Sequence, residues 1–339
     1  MSQAKIVITD YIEDNLDWEV EQMKERDIDF SYHQLKLAPE DELVDAIKDC
    51  DVVIVNMAPM PESVISQLDN CKLIIRHGIG YDNVDTEACT KYGIRLANIP
   101  DYCAQEVAEQ AVSLILACAR RLFTSRRILE ESSADGIWDF SELGDIHRMS
   151  DQTLGIVGAG RIGSRVYRMT ENLFKRRLVC DPYMGDRRLA AMGLDDRYSL
   201  EDVLRESDYV TIHTPLNDET RYMIGEEQFK MMKPSAFIVN SARGAIIDTA
   251  ALTRAVKEGW IAGAGIDVYE EEPPPADLEL FDLPTATLSA HLGWNSVEAG
   301  WDIRHKIMQD VDNYLAGNPP RYTVNEEVEE KLDGAYRDV

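Results

Sequence analysis

The chain has 339 residues and a mass of 38.3 kDa, a length that indicates two domains. Hydrophobic residues make up 45% and charged residues 29%, values typical of a globular protein and too apolar for a disordered one. The 62 acidic and 35 basic residues give a formal net charge of −27. This charge disfavours nucleic acid and anionic membranes as the main partners, because both are negatively charged.

Targeting, membrane and metal signals are also missing from the sequence. The longest strongly apolar runs, such as Val112–Ala119, fall far short of the roughly 20 residues that span a bilayer. The first residues show no basic segment followed by an apolar one, so no secretion signal is predicted. The cysteines form no CxxC pair and no cluster with histidine, which indicates buried reduced thiols and no metal. A cytoplasmic enzyme or binding protein is therefore expected.

Short apolar runs alternate with helix-like segments through roughly the first hundred residues. Strands are predicted over Lys5–Tyr11, Asp51–Asn56, Lys72–Arg76 and Ile94–Ile99. Helices are predicted over Asp14–Arg26, Pro39–Asp49, Pro61–Leu68 and Thr86–Tyr92. This alternation indicates βαβ units, and hence a small doubly wound domain whose parallel sheet has about five strands.

The middle of the chain departs from this alternation before it resumes. Ala104–Leu122 is predicted to form a long helix that is apolar on most faces, and hence buried between domains or subunits, whereas 123–150 is charged and irregular. A second doubly wound unit follows, with strands over Leu154–Val157, Arg177–Cys180, Tyr209–Ile212, Ala236–Asn240, Ala262–Ile266 and Ala286–Ser289. A long helix over Asn295–Ala316 and a polar tail over 326–339 complete the chain.

A glycine-rich turn opens the second unit. Gly158, Gly160 and Gly163 form a GxGxxG motif directly after a predicted strand and before a helix, and Asp181 ends the next strand, near the expected spacing of about 20 residues. The first two glycines allow the backbone to approach a pyrophosphate at the helix N-terminus, and the third allows close helix–strand packing. Asp181 would accept hydrogen bonds from ribose hydroxyls and repel a 2′-phosphate, so the pattern predicts NAD rather than NADP.

Three further polar residues follow strand ends in the same unit. Arg243 could hold a carboxylate through two parallel hydrogen bonds, although an arginine after a strand is also typical of a surface ion pair. Glu272 belongs to the acidic run before Pro273, which by itself is typical of a solvated turn. His291 follows the last strand, and a lone histidine is more often structural than catalytic. Their common place at the carboxyl edge of one sheet favours a shared active site.

Five motifs occur in order along nearly the whole chain: GAGRIG, HTPLNDET, VNSARGAIID, GAGIDVYEEEP and AHLGW. Together with the segment 76–85, they resemble the D-isomer-specific 2-hydroxyacid dehydrogenases. The resemblance implies a catalytic triad of Arg243, Glu272 and His291. It also implies a Rossmann NAD-binding domain over 104–290 and a smaller flavodoxin-like substrate domain over 1–103 and 291–325, with a cleft between them.

The same resemblance assigns binding residues. NAD would be bound by the glycine loop and by residues after later strands: Gly158, Gly160, Arg161, Ile162, Gly163, Asp181, His213, Thr214, Pro215, Thr220, Ser241, Ala242 and Asp267. The substrate would be bound by Arg76, Trp294 and the backbone N–H groups of Ile79 and Gly80. A homodimer is also expected, both from the family and from the apolar helix with its irregular extension.

Arg76 and Trp294 resemble the branch of C-terminal-binding proteins and their bacterial relatives. Trp294 would present a flat apolar wall, which predicts that keto acids with apolar or aromatic side chains are better substrates than glyoxylate. Two functions stay open on these grounds: interconversion of a 2-keto acid and a D-2-hydroxy acid with NAD, or a corepressor-like NAD(H)-sensing protein with little turnover. The complete triad favours turnover.

Overall fold

The computed structural model describes residues 3–194 and 196–335, and it divides into two compact units. One unit comprises Met1–Tyr102 and Ser296–Val339, and the other comprises Cys103–Asn295. The sequence placed the second boundary before residue 291, whereas this division falls after residue 295. The backbone amides of Leu292 and Gly293 donate to Asp267 within the second unit, which explains why this turn stays with it.

The first unit contains a five-stranded parallel sheet in the order β2-β1-β3-β4-β5. Its strands are β1 (Lys5–Ile8), β2 (Asp29–Tyr32), β3 (Val52–Val55), β4 (Leu73–Arg76) and β5 (Arg95–Ala97). Its helices are α1 (Asp17–Glu25), α2 (Glu40–Ile47), α3 (Glu62–Ile65), α4 (Thr86–Lys91), α12 (Val297–Leu315) and α13 (Val328–Ala335). Every residue of β3 and β4 is buried, because helices cover both faces of a parallel sheet.

The segment predicted as a polar tail is partly structured. Its residues 328–335 form α13, Val328 is fully buried, and Glu329 forms two hydrogen bonds, of 2.6 and 2.8 Å, with Arg95. Just before it, Asn325 is buried and accepts a hydrogen bond from the backbone amide of Leu96 in β5. The predicted polar tail therefore includes a helix over 328–335, and residues 336–339 lie outside the described part of the chain.

The second unit contains a six-stranded parallel sheet in the order β11-β10-β9-β8-β6-β7. Its strands are β6 (Thr153–Val157), β7 (Arg176–Cys180), β8 (Tyr209–Ile212), β9 (Phe237–Asn240), β10 (Gly263–Ile266) and β11 (Ala286–Leu288). Its helices are α5 (Ala104–Ala119), α6 (Leu122–Ala134), α7 (Gly163–Met169), α8 (Asp186–Ala191), α9 (Leu200–Glu206), α10 (Glu226–Met231) and α11 (Thr249–Lys257). The fold class of two parallel-sheet α/β domains is confirmed.

The segment 104–150 departs from its prediction in two respects. Helix α5 is buried, as expected, but within the core of its own unit beside the sheet, where Ala108, Ala111 and Ile115 are fully buried. Residues 122–134 form α6 rather than irregular chain. Arg121 adopts a left-handed conformation (φ 52°), which ends α5 and turns the chain into α6.

The structure also bears on the cysteines and on membrane-spanning helices. The six cysteines are all buried and free, as predicted. Within the described residues, no helix has the length and apolar character needed to cross a membrane.

Candidate active site

Most of the predicted site residues lie at one edge of the second unit's sheet. Strand β6 leads into Gly158, β7 into Asp181 and β8 into His213 and Thr214. Strand β9 leads into 241–243, β10 into Asp267 and β11 into 289–291. All six strands are parallel, so these loops share the carboxyl edge, where open α/β sheets bind ligands.

The glycine loop follows β6, beside the point where the strand order reverses between β6 and β8. Gly158 has φ 86°, and a Cβ built there would lie 2.8 Å from the carbonyl oxygen of His213. A Cβ at Gly163 would lie 2.0 Å from the carbonyl oxygen of Gly158, so the tight turn excludes side chains at both positions. At Gly160, by contrast, a Cβ would meet nothing within 4 Å, so a ligand can approach the backbone there.

Asp181 stands beside this loop at the end of β7. Its Oδ2 accepts a hydrogen bond of 2.9 Å from the Ala159 amide, and its Oδ1 accepts one of 3.0 Å from the Tyr183 amide. These two bonds fix the carboxylate and leave each oxygen a further lone pair for a hydroxyl donor. The geometry suits the ribose role predicted for this residue.

Three buried polar atoms at this edge have no hydrogen-bond partner among the described residues: His213 Nδ1, Thr214 Oγ1 and Ser241 Oγ. All three residues were predicted to line the cofactor. The other imidazole nitrogen, His213 Nε2, is 2.9 Å from Thr211 Oγ1, and burial lowers the pKa of His213 to about 3, so the ring is neutral. Buried polar atoms normally have partners, so these atoms indicate a polar ligand and fit a dinucleotide.

The remaining predicted cofactor residues shape the same loops. Arg161 and Ile162 form the turn between Gly160 and α7. Thr220 Oγ1 donates to the Pro215 carbonyl at 2.6 Å and so closes the loop after β8. The backbone amide of Ala242 donates to Asn240 Oδ1 at 3.0 Å in the loop after β9.

Glu272 and His291 form a hydrogen-bonded pair. His291 Nδ1 lies 2.7 Å from Glu272 Oε2, and Glu272 Oε1 accepts a hydrogen bond of 3.1 Å from the Tyr269 amide. Burial raises the pKa of Glu272, but the hydrogen bond and charge of His291, the Tyr269 amide and the charge of Arg243 outweigh it. The pKa of Glu272 therefore lies below its usual value, and the carboxylate is ionised beside the imidazole.

Arg243 follows β9 in the same unit, and its side chain is half-buried. Its Nη1 donates to the Ala242 carbonyl at 2.9 Å, while Asn240 Nδ2 donates to the carbonyl of Arg243 at 2.8 Å. Its positive charge acts on Glu272, which places the guanidinium in the electrostatic surroundings of the Glu272–His291 pair.

Asp267 is 1% exposed, and its carboxylate binds the turn that carries His291. Its Oδ1 accepts hydrogen bonds from Gln110 Nε2, Ser289 Oγ and the Leu292 amide, and its Oδ2 accepts one from the Gly293 amide. Asp267 was predicted to lie at the cofactor, whereas Gln110 and Ser289 were not predicted to belong to the site. The available signal was Gln110 itself, a polar residue within the apolar pattern of α5.

The predicted substrate residues divide between the units. Arg76 is the last residue of β4 in the first unit and is 8% exposed; its Nη1 donates to the His77 carbonyl. Ile79 and Gly80 lie in the half-buried loop that follows, and the Ile79 carbonyl accepts a hydrogen bond from Asn98 at 2.6 Å. Trp294 lies in the second unit, half-buried, three residues after His291.

Comparison with known proteins agrees with this arrangement. Residues 112–293 match the family model of the D-isomer specific 2-hydroxyacid dehydrogenase, NAD binding domain. The chain belongs to this family. It is an NAD-dependent D-2-hydroxyacid dehydrogenase, so the predicted family, enzyme class and cofactor are confirmed.

The relatives that match the chain carry names of several different activities. The chain is 35% identical over 333 residues to a glyoxylate reductase of Thermococcus kodakarensis, covering 96% of this chain and 97% of the relative. It is 35% identical over 287 residues to a D-3-phosphoglycerate dehydrogenase of Methanocaldococcus jannaschii, covering 84% of this chain and 54% of that longer protein. A D-lactate dehydrogenase from Aquifex aeolicus, solved with NAD and lactic acid, superimposes with a TM-score of 0.83 at 27% identity, covering 94% and 99% of the two chains.

Proposed function

We propose that this dehydrogenase reduces a 2-keto acid to the D-2-hydroxy acid, with Arg243, Glu272 and His291 as its catalytic residues. The observation that carries the proposal is the 2.7 Å contact between Glu272 Oε2 and His291 Nδ1 at the strand-end edge of the dinucleotide-binding unit. When bound, NADH supplies the hydride that the keto carbon accepts.

In this proposal the proton comes from His291. An imidazolium hydrogen-bonded to a carboxylate through Nδ1 presents its other ring N–H to the substrate, and it can give that proton to the oxygen that develops negative charge. Glu272 orients the ring and stabilises its charged form. The side chain of His291 is one-third exposed, which leaves it accessible to a small substrate.

Arg243 would bind the substrate carboxylate and polarise the carbonyl group. Its planar guanidinium can donate two parallel hydrogen bonds to a carboxylate, and its charge lies where the alkoxide develops. We also propose that Arg76 and the backbone N–H groups of Ile79 and Gly80 bind the substrate. Trp294 would contact the substrate side chain.

The cofactor contacts follow from the loops described above. The glycine loop with Arg161 and Ile162 would hold the pyrophosphate, and Asp181 the adenosine ribose. The unpaired buried atoms of His213, Thr214 and Ser241 would receive the remaining polar groups.

The experiment that tests the proposal is NADH oxidation, followed by absorbance, with glyoxylate, pyruvate, 2-ketoisocaproate, phenylpyruvate and 3-phosphohydroxypyruvate. We expect turnover on at least one of them, and a loss of about 10²–10⁴-fold in kcat for His291→Gln. NADH affinity, measured by fluorescence, should be unchanged in that variant. His147→Gln, which changes an exposed histidine of the same unit, is the matched control.

Two outcomes would overturn the proposal. If the wild-type protein binds NADH but oxidises it with none of these keto acids, it is the NAD(H)-sensing protein of the alternative interpretation. Turnover that His291→Gln leaves intact would remove His291 from the chemistry.

We further propose a homodimer in which 122–146 contacts the second copy. This segment exposes several large apolar side chains, including Phe123 (55%), Ile137 (55%), Trp138 (79%) and Phe140 (61%). Such a concentration of exposed apolar residues is typical of an interaction surface. Sedimentation velocity should show a dimer at micromolar concentration that Trp138→Asp weakens, and a monomeric wild type would refute the proposal.

A further inference from the structure

His291 has a backbone conformation that few residues other than glycine adopt. Its φ is 53°, in the left-handed region, where residues other than glycine are uncommon. The backbone amide of His291 donates to the carbonyl of Asp267 at 2.7 Å, which fixes one side of the residue. The direction of the imidazole therefore depends on what holds this turn in place.

The Asp267 carboxylate holds the other side of the turn. It accepts the amides of Leu292 at 3.0 Å and Gly293 at 2.8 Å, the two residues that follow His291. A Cβ at Gly293 would lie 3.0 Å from Asp267 Oδ2, closer than most real Cβ contacts, so the missing side chain lets the turn approach the carboxylate.

Gln110 and Ser289 close a triangle of hydrogen bonds around the same carboxylate. Gln110 Nε2 lies 3.2 Å from Asp267 Oδ1 and 2.9 Å from Ser289 Oγ, and Ser289 Oγ donates to Asp267 Oδ1 at 2.5 Å. An amide NH₂ has two protons and a hydroxyl has one, so all three bonds can form together. The triangle connects helix α5 to the strand end that precedes His291.

A fourth bond connects the triangle to the loop of Glu272. Tyr269 Oη donates to the carbonyl of Ser289 at 2.9 Å, while the Tyr269 amide donates to Glu272 Oε1. Ser289 is thus held from α5 through Gln110 and from the Glu272 loop through Tyr269. One network of hydrogen bonds therefore contacts both Glu272 and the turn that carries His291.

We propose that Gln110 and Ser289 are positioning residues that fix the imidazole of His291 for proton transfer. The inference rests on the proposed function, because it assigns the proton to His291. Neither residue contributes a group to the proton transfer itself. Both act through Asp267 and the left-handed turn, and a shift of that turn by an ångström is enough to cost a large factor in rate.

The test compares Gln110→Leu and Ser289→Ala with wild type in NADH-dependent reduction of the best keto acid. We expect kcat to fall about 10- to 100-fold in each variant, with the KM for NADH within about twofold of wild type. Gln105→Leu makes the same change on the same helix at an exposed position, where Gln105 donates a hydrogen bond to Glu109, and should behave as wild type. Ser289→Thr keeps the hydroxyl and should restore most of the rate.

A double variant separates positioning of His291 from a general structural effect. In the His291→Gln background, Gln110→Leu should cause no further loss in kcat, because the group it positions is gone. An additional loss of about 10-fold or more in that background would contradict the proposal.

Hydrogen exchange followed by mass spectrometry supplies a readout without turnover or cofactor. A peptide containing the amides of Leu292 and Gly293 should exchange faster in Gln110→Leu and Ser289→Ala than in Gln105→Leu. If the wild type turns over keto acid and both variants have the same rate and exchange as Gln105→Leu, only this inference is overturned. A wild type without turnover would instead overturn the proposed function, and the exchange result would still decide whether the triangle holds the turn.

Discussion

Replacing Glu272 with Gln keeps the shape of the side chain and removes the charge next to His291. The carboxylate lies 2.7 Å from His291 Nδ1, and hydrogen bonds to charged groups contribute about 1.5–3 kcal/mol. At about 1.4 kcal/mol per factor of ten, kcat for keto-acid reduction at neutral pH should fall roughly 10- to 100-fold. The loss should stay below that of His291→Gln, because the amide oxygen of the new side chain still accepts the imidazole N–H.

The pH dependence of the rate is the sharper measurement. Although burial raises the pKa of Glu272, the hydrogen bond and charge of His291 hold it below its usual value, so the carboxylate is lost only at acid pH, where the wild-type rate should fall toward that of Glu272→Gln. In Glu272→Gln this acid limb of the kcat profile should disappear, because no carboxyl group remains to be protonated. Glu271→Gln removes a neighbouring, exposed charge and should leave the limb in place. An unchanged limb and rate in Glu272→Gln would mean that the acidic run is only a solvated turn.

Three further predictions concern other residues of the second unit. Asp181→Ala should weaken NADH binding and relax the preference over NADPH, measured by fluorescence titration, and a wild type that uses both cofactors equally would refute the ribose assignment. Trp294→Ala should lower kcat/KM for phenylpyruvate more than for glyoxylate. Activity equal to or better than wild type on every keto acid would show that Trp294 does not contact the substrate. Desolvation lowers the pKa of the half-buried His213 from 6.5 to about 3, so between these pH values the unfolded state binds more protons. The free energy of unfolding therefore falls as the pH drops from 6.5 toward 3, by up to about 1.4 kcal/mol per pH unit. His213→Gln should flatten that slope in denaturant titrations, whereas a parallel slope would show that the ring is solvated.

The parallel strands could be predicted because helices cover both faces of each sheet. Segments such as Val52–Val55 and Phe237–Asn240 are continuous apolar runs bounded by polar residues, and they were located within one or two residues. The strand Asp29–Tyr32 was missed because it lies at the sheet edge, where its residues are half-buried or exposed and no apolar run forms. Helix α6 was missed because a left-handed residue, Arg121, separates it from α5.

Those site residues that directly follow strands could be predicted from the sequence. Asp181 and His291 each come soon after an apolar run, so chain order alone placed them on one edge. In the triangle of Gln110, Asp267 and Ser289, Gln110 lies 157 residues from Asp267 and 179 from Ser289, and no local pattern indicates such contacts. Only the packing of α5 against the sheet brings Gln110 to that carboxylate.

The segment that follows α12 has a consequence for handling the protein. Thr323 pairs with Ala97, and the Val324 amide donates to the carbonyl of Leu96, so this segment covers the outer edge of β5, which would otherwise be an open strand. Bare strand edges recruit other chains and lead to aggregation. A truncation that removes the residues after Arg321 would therefore expose the edge of β5 and favour aggregation.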